Sequence, residues 1–206
     1  MKAKILFLSV MVISLCSACS NKGTALFNGK DLSNWVGFVD PESHSSVDNV
    51  FSVQDGVINV TGKPNGYIRT QERYKNFTLS VEWRWSEGAR YDSGIYVALG
   101  DEDRIWPKGI QMQMKDGQLG VLISAVKLLG VASEGPVCFK SALTDETTEK
   151  PIGEWNTTAI TCKDNHYTAT VNGILVNEAD CEDTEGYIAL QSEGGPIQFR
   201  NVYIKK

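Results

Sequence analysis

The sequence contains few histidines and cysteines, which argues against a structural zinc site and against a disulfide-based scaffold. Its two histidines, His44 and His166, are far apart, and no spacing of cysteine and histidine resembles a zinc site. Three cysteines follow Cys19, namely Cys138, Cys162 and Cys181. Because an odd number allows at most one internal disulfide, the chain is not a small scaffold held together by disulfides.

The chain also lacks an excess of positive charge. Its 206 residues include 20 lysines and arginines against 25 aspartates and glutamates, which gives a formal net charge of −5. Removal of Lys2 and Lys4 would lower this charge to about −7. A negative surface of this size argues against nucleic acid and against anionic lipid headgroups as partners.

Long apolar runs are absent except at the N-terminus. There, two lysines precede an apolar stretch of about a dozen residues, from Ile5 to Leu15, which has the length of a signal peptide and is too short to span a bilayer. The small residues Ser17 and Ala18 stand directly before Cys19. This arrangement resembles a bacterial lipobox, although Cys16 occupies the position where leucine is usual.

We therefore predict a signal peptide over residues 1–18, then a lipidated Cys19 and a short tether over residues 19–24. About 188 residues remain from Cys19 onward, enough for one domain with a sizeable core. The expected location is the bacterial cell envelope, with the protein facing the periplasm or held at the outer membrane, and only the lipid anchor in the membrane. The alternative is a soluble secreted protein that is cut near Ala18.

Replacing Cys19 by alanine tests this anchor. Two acyl chains hold a protein stably at a membrane, because each buried methylene contributes about 0.8 kcal/mol. We expect the wild-type protein in the membrane fraction and the Cys19→Ala variant in the soluble fraction of lysed cells. A variant that stays with the membrane contradicts lipidation at this residue.

A helical pattern is also missing, because no window of a dozen residues carries a convincing helical stripe. Strand patterns are frequent instead. Residues 77–85 alternate apolar and polar side chains, and Ile110 to Met114 alternate in the same way. Turn signals separate such segments, and Asn172-Gly173 is the strongest hairpin signal. The pattern predicts an all-β protein built as a two-sheet antiparallel sandwich or jelly roll.

The outward polar residues of these strands suggest a binding surface. Alternation places five polar side chains on outer strand faces: Glu82, Arg84, Gln111, Gln113 and Gln191. Amides, carboxylates and guanidinium groups suit sugar hydroxyls, and aromatic rings stack on sugar faces. We expect these side chains to line one concave surface, with Trp106 as the aromatic candidate. The alternative is that Glu82 and Arg84 are ordinary solvated charges.

Short motifs follow one another through almost the whole chain. The series opens with ALFNGKDLSNW at residues 25–35, continues with DSGIY at residues 92–96 and IWPKGIQMQ at residues 105–113, and closes with LQSEG at residues 190–194 and FRNVYI at residues 199–204. The series resembles the 3-keto-disaccharide hydrolase domain family, also described as 3-keto-glucoside 1,2-lyase and 3-keto-2-hydroxy-glucal hydratase.

The resemblance implies a concanavalin A-like jelly roll over residues 25–206 and an activity on sugars oxidised at carbon 3. A base removes the acidified proton on carbon 2, the aglycone leaves carbon 1, and water adds to the product. In this scheme Glu82 and Glu193 are the available carboxylates, and Arg84 stabilises an oxyanion. Gln111, Gln113, Gln191 and Trp106 bind the carbohydrate. No cofactor is certain, but a divalent metal could polarise the ketone.

One departure from the family pattern leaves the activity open. The family commonly has a glutamate where this chain has Gln111, and an amide cannot act as a general base. An aspartate that many members carry is also missing near residues 119–121. The alternative function is therefore a non-catalytic carbohydrate-binding lipoprotein on the same sandwich.

Overall fold

The computed structural model describes residues 23–86, 88–133, 135–143 and 148–206. The predicted signal peptide and Cys19 lie outside these residues. The strands, in chain order, are β1 (Thr24–Ala25), β2 (Trp35–Val39), β3 (Phe51–Gln54), β4 (Val57–Val60), β5 (Gly66–Thr70), β6 (Phe77–Trp85), β7 (Gly94–Leu99), β8 (Ile110–Gln113), β9 (Leu122–Ser124), β10 (Cys138–Lys140), β11 (Asn156–Lys163), β12 (His166–Val171), β13 (Ile174–Asp180), β14 (Tyr187–Ser192) and β15 (Ile197–Lys205).

These strands form two sheets in which every pair of neighbours is antiparallel. The first sheet has the order β13-β12-β11-β6-β15-β4-β3, and β1 also pairs with β15. The second has the order β10-β9-β8-β7-β14-β5-β2. The described residues contain little helix, including a 3-10 turn (Pro41–Ser43) and α1 (Val47–Val50). The predicted two-sheet jelly-roll sandwich is confirmed.

The apolar faces of the two sheets enclose a single core. In β6 the predicted alternation is realised, since Leu79, Val81 and Trp83 are fully buried while the polar residues between them are half-exposed. Side chains from the second sheet, such as Ile95 and Met112, belong to the same cluster. The Trp83 indole donates a hydrogen bond to Thr158 Oγ1 at 2.9 Å, so its one polar atom is satisfied inside the core.

A tight hairpin turn joins β12 and β13. Asn172 and Gly173 have φ values of +52° and +83° and connect β12 to β13, as a two-residue hairpin turn of this type requires. Cys138, Cys162 and Cys181 are buried free thiols.

Within the described residues, no helix has both the length and the apolar character needed to cross a membrane.

A bulge in β7 changes which of its side chains point to the outer face of the second sheet. Ala98 has a φ of +52°, and at this point the pairing with β14 slips, so that three steps along β7 match two along β14. Tyr96 and Leu99 therefore lie on the same outward side, where they pack with Tyr67 and Ala189 in a cluster separate from the core.

Candidate functional site

Three neighbouring strands of the second sheet bring the polar residues together. Gly94 of β7 pairs with Gln113 of β8, and on its other side β7 pairs with β14. Just beyond these strands, Asp92 forms a β-bridge with Glu193. Since side chains two residues apart share a face, Gln111, Gln113, Gln191 and Glu193 lie on one outer face.

The three glutamines form a buried hydrogen-bonded chain that ends at a carboxylate. Gln111 Nε2 donates to Gln113 Oε1 and to Gln191 Oε1, both at 2.8 Å. Gln191 Nε2 then donates to Glu193 Oε2 at 2.9 Å. Only 4%, 6% and 3% of Gln111, Gln113 and Gln191 are exposed, so the geometry is held by packing. We call these four residues the amide chain. Gln113 Nε2 and Gln111 Oε1 form no hydrogen bond with the other described residues.

Gly94 makes room for the amide chain. A Cβ atom at this position would lie 2.3 Å from Gln111 Nε2 and 2.8 Å from Gln191 Oε1. Any larger residue would push the two amides apart. The glycine is therefore needed for the space that it leaves on the outer face.

Glu193 is the titratable group of the site. Its pKa is raised from 4.5 to about 7. Burial is the largest cause of this increase, and the nearby negative charge of Asp92 is the second. The positive charge of Lys115 and the hydrogen bond from Gln191 act in the opposite direction but do not cancel the increase. A carboxylate with a pKa near neutrality is well placed to accept and return a proton.

An ion pair stands beside Glu193. Lys115 Nζ lies 3.0 Å from Asp92 Oδ2, and this contact raises the pKa of Lys115, so the amine stays protonated. The other oxygen of Asp92, Oδ1, is buried without a hydrogen-bond partner among the described residues. The site thus holds two carboxylates and one ammonium group, and Lys115 offers positive charge to an anion that forms nearby.

Tyr96 adds a protonated hydroxyl to the same face. It is almost fully buried and pairs with Gln111 across the sheet. Burial, together with the negative charges of Glu193 and Asp92, raises the pKa of the Tyr96 phenol, which therefore keeps its proton at any physiological pH.

The β5 side of this face is closed. Tyr67 of β5 donates a hydrogen bond to Asp103 Oδ1 at 2.8 Å, and Arg69 Nε lies 3.1 Å from the same oxygen. The Arg69 guanidinium also stacks on the Tyr187 ring at 4.3 Å. Asp103 belongs to the loop between β7 and β8, so this loop covers one end of the outer face.

Glu82 and Arg84 do not belong to this site, and the expectation of one shared surface is wrong. Both lie on β6 in the first sheet, with the core between them and the amide chain. Glu82 accepts a hydrogen bond from Arg200 Nε at 2.7 Å, and Arg84 donates to Gln198 Oε1 at 2.7 Å. Their charges are engaged in cross-strand contacts on a half-exposed surface.

Trp106 lies in the loop between β7 and β8 with 56% of its surface exposed, and it contributes no hydrogen bond to the amide chain among the described residues. No group of three or more metal-binding side chains occurs in the part of the chain that the structure describes. Asp92 and Glu193 supply only two carboxylates, and the Lys115 ammonium already pairs with Asp92 Oδ2, so we derive no step through a divalent cation.

Sequence reasoning missed Asp92, Lys115 and Tyr96. Two of these residues belong to the segment at 92–96 that resembles a family motif, but no role was assigned to them. Alternation along each strand was the available signal. It places residues 92, 94 and 96 on one face of their strand, and residues 111, 113 and 115 on one face of theirs. What the alternation could not show is that β7 and β8 are paired.

Comparisons with known proteins agree with this architecture. A crystal structure from Parabacteroides distasonis, provisionally assigned as a glycosyl hydrolase, has a TM-score of 0.64 and 23% identity, over 89% of this chain and 94% of that one. The carbohydrate-binding module CBM66 from Bacillus subtilis has a TM-score of 0.62 and 11% identity, over 84% and 96%. The β-glucanase of Bacillus licheniformis has a TM-score of 0.58 and 16% identity, over 89% and 98%.

Each of these structures is less than one quarter identical in sequence to this chain. The similarities therefore show the fold and nothing further. A search among curated proteins found no significant match. The family assignment comes from a family model that matches residues 22–205, almost the whole chain. Its extent includes every strand of both sheets and the complete amide chain. The chain belongs to the family of 3-keto-alpha-glucoside-1,2-lyase-like domains.

Proposed function

We propose that this protein acts on carbohydrates and cleaves glycosides whose sugar is already oxidised at carbon 3, with Glu193 as the general base. The observation that carries the proposal is Glu193 itself, a partly buried carboxylate with a pKa near 7 at the end of a rigid amide chain. Family membership supports the substrate class.

The first step is removal of the proton on carbon 2. The ketone at carbon 3 makes this proton acidic, because the electron pair that remains is delocalised onto the ketone oxygen as an enolate. Glu193 takes the proton and becomes neutral. Its raised pKa brings it closer to the acidity of the carbon, and this favours the transfer.

The enolate requires positive charge and hydrogen-bond donors close to its oxygen. Three groups on the outer face can supply them: the Lys115 ammonium, the Tyr96 hydroxyl and Gln113 Nε2. All three are protonated donors, and two of them are held on strands of a rigid sheet. Donors that are fixed in place stabilise developing charge more effectively than water does.

Elimination and hydration complete a net hydrolysis. The enolate electrons form the double bond between carbon 1 and carbon 2, the bond from carbon 1 to the glycosidic oxygen breaks, and that oxygen takes up a proton from solvent water. Water then adds across the double bond, with its hydroxyl on carbon 1 and a proton on carbon 2. The neutral Glu193, whose proton exchanges with solvent, supplies the proton on carbon 2. The second proton of the added water replaces the one given to the glycosidic oxygen, and no oxidant or reductant is consumed.

The second candidate function is carbohydrate binding without catalysis. It is favoured by Gln111, which is an amide where the family commonly carries a glutamate. In this chain, however, the glutamine holds Gln113 and Gln191 in place, and Glu193 remains as a carboxylate with a matched pKa. In this proposal Glu193 acts as the base without the family glutamate.

The test is an assay of the full-length protein, purified in detergent, with phenyl and methyl 3-keto-glucosides. We expect release of phenol or methanol, and in deuterated water we expect deuterium on carbon 2 of the recovered sugar. If the protein binds these sugars but neither releases an aglycone nor exchanges the proton, the enzyme proposal fails and the binding function stands.

The same assay has a predicted pH dependence. A general base must be ionised, so the rate should rise with pH and level off above about pH 7, following the pKa of Glu193. Below that pH, kcat/KM should fall by about tenfold per pH unit. A profile that is half-maximal near pH 4.5 would show that a carboxylate with an ordinary pKa acts as the base, and would contradict the assignment.

A further inference from the structure

Asp92 lies directly opposite Glu193 at one end of the amide chain. The two residues form an antiparallel β-bridge, and opposite residues in such a pair have Cβ atoms about 5 Å apart. Asp92 is two residues from Gly94 and therefore shares its outer face. Glu193 is on that face as well, because it accepts the hydrogen bond from Gln191. The two carboxyl groups are therefore neighbours on the same surface.

The two carboxylate oxygens of Asp92 differ in their contacts. Oδ2 lies 3.0 Å from Lys115 Nζ, and this ion pair fixes the orientation of the carboxylate. Oδ1 is buried and has no hydrogen-bond partner among the described residues. A buried acceptor without a donor is rare in folded proteins, because its loss of hydration is then not compensated. Asp92 Oδ1 therefore lacks a donor as long as both carboxyl groups are ionised.

The contacts of the neighbouring groups favour protonated Glu193 as the donor to Asp92 Oδ1. The Lys115 ammonium is already paired with the other oxygen of Asp92. On the β5 side, the Tyr67 hydroxyl donates to the loop between β7 and β8. Tyr96 also carries a hydroxyl on this face, but that hydroxyl does not donate to Oδ1. Once protonated, Glu193 gains an O–H group beside the unpartnered oxygen.

We propose that protonated Glu193 donates a hydrogen bond to Asp92 Oδ1, so that the two carboxyl groups hold one proton between them. This rests on the proposed function, in which Glu193 takes the proton from carbon 2. The C–H bond that breaks leaves its electron pair on the enolate, and the O–H bond that forms on Glu193 points at a fixed, negatively charged acceptor. Asp92 is a positioning residue, because it stabilises the protonated base without touching the substrate.

The charges around the pair agree with this arrangement. With one shared proton, Asp92, Glu193 and Lys115 together are neutral, whereas without it they carry one net negative charge. A partly buried site favours the neutral combination. Accordingly, burial is the largest cause of the raised pKa of Glu193, and the charge of Asp92 is the second.

The experiment is infrared spectroscopy of the full-length protein in detergent, without substrate. Glutamate is isotope-labelled in its carboxyl group, and subtraction of the spectrum of Glu193→Gln isolates the signal of Glu193. Well below pH 7, where Glu193 is protonated, its carbonyl band should lie at the low frequency of a strongly hydrogen-bonded carboxyl group. In Asp92→Ala the band should move to higher frequency, because the O–H group loses its acceptor. Asp92→Asn should move it in the same direction but less, because an amide oxygen is a weaker acceptor than a carboxylate.

The same spectra, followed across pH, give the midpoint of Glu193 ionisation. Wild type should titrate at about 7, and Asp92→Asn, which loses the negative charge, should titrate closer to 4.5. Loss of charge alone would also lower this midpoint, so the carbonyl band is the measurement that reports the hydrogen bond. Asp101→Asn, which replaces an exposed aspartate paired with Arg73, should change neither the band nor the midpoint.

The outcome is independent of turnover, so it separates this proposal from the proposed function. A band that keeps its wild-type frequency in both Asp92 variants overturns the shared proton, even if an aglycone is released. A band that moves in Tyr96→Phe but not in Asp92→Ala overturns it as well, because Tyr96 is then the partner. A band that moves as expected supports the pair even if no 3-keto-glucoside is cleaved, in which case only the catalytic role of Glu193 fails.

Discussion

Replacing Glu193 by glutamine should lower kcat on a 3-keto-glucoside by about a hundred- to ten-thousandfold, the usual contribution of a general base. Glutamine keeps the size of the side chain and can still accept the hydrogen bond from Gln191. It cannot take the proton from carbon 2. Substrate binding should therefore survive, and the loss should appear in kcat rather than in KM. Steady-state kinetics at pH 8, together with deuterium exchange at carbon 2, measure this.

The stability of the Glu193→Gln variant is also predicted. Because the folded-state pKa of Glu193 is raised from 4.5 to about 7, the folded protein holds this proton more tightly than the unfolded chain does. Ionisation thus reduces the free energy of unfolding as the pH rises from 4.5 to 7, and a neutral glutamine removes that unfavourable contribution. We expect no fall in melting temperature at pH 8.

Two other carboxylates serve as comparisons for Glu193. Glu178→Gln, at an exposed position on β13, should retain wild-type turnover. Glu82→Gln should do so as well, since Glu82 lies on the other sheet. If Glu82→Gln loses activity while Glu193→Gln keeps it, the assignment of the base is wrong.

Replacing Gly94 by alanine should reduce kcat/KM by roughly a hundredfold, although Gly94 carries no functional group. The added Cβ would lie 2.3 Å from Gln111 Nε2 and 2.8 Å from Gln191 Oε1, so both amides must move. Gln191 positions Glu193 through its hydrogen bond, and a displacement of about 1 Å in a catalytic group can cost about that factor. Kinetics and the melting temperature are measured together.

The Gly94→Ala result has a matched control in Gly100→Ala. At Gly100 the nearest atom to an added Cβ is the Lys108 carbonyl oxygen at 3.6 Å, an ordinary contact. This variant should keep full activity. Gly94→Ala should fold but unfold at a somewhat lower temperature than wild type, because buried side-chain atoms must move, among them Gln111 Cγ at 2.8 Å from the added Cβ. A Gly94→Ala variant with wild-type kcat/KM would show that the amide chain does not position the base.

The sequence by itself determined the faces of the strands. Alternation from Phe77 to Trp85 predicts which side chains are buried, because successive side chains of a strand point to opposite sides and the apolar set must leave water. The same rule places Gln111, Gln113 and Gln191 on outer faces. The turn at Asn172-Gly173 is determined as well, since only a few residue types tolerate two positive φ angles in succession.

Only the tertiary structure decided which outer faces are shared. Alternation is a local property and is the same for a strand in either sheet. It therefore could not show that Glu82 and Gln111 lie on the outer faces of different sheets. Pairing between distant strands is set by the packing of the whole core, and it placed β6 in one sheet and β7, β8 and β14 in the other. That pairing brought Asp92 and Lys115 to Glu193. The raised pKa of Glu193 depends on burial and on neighbouring charge, which arise only when these distant segments come together.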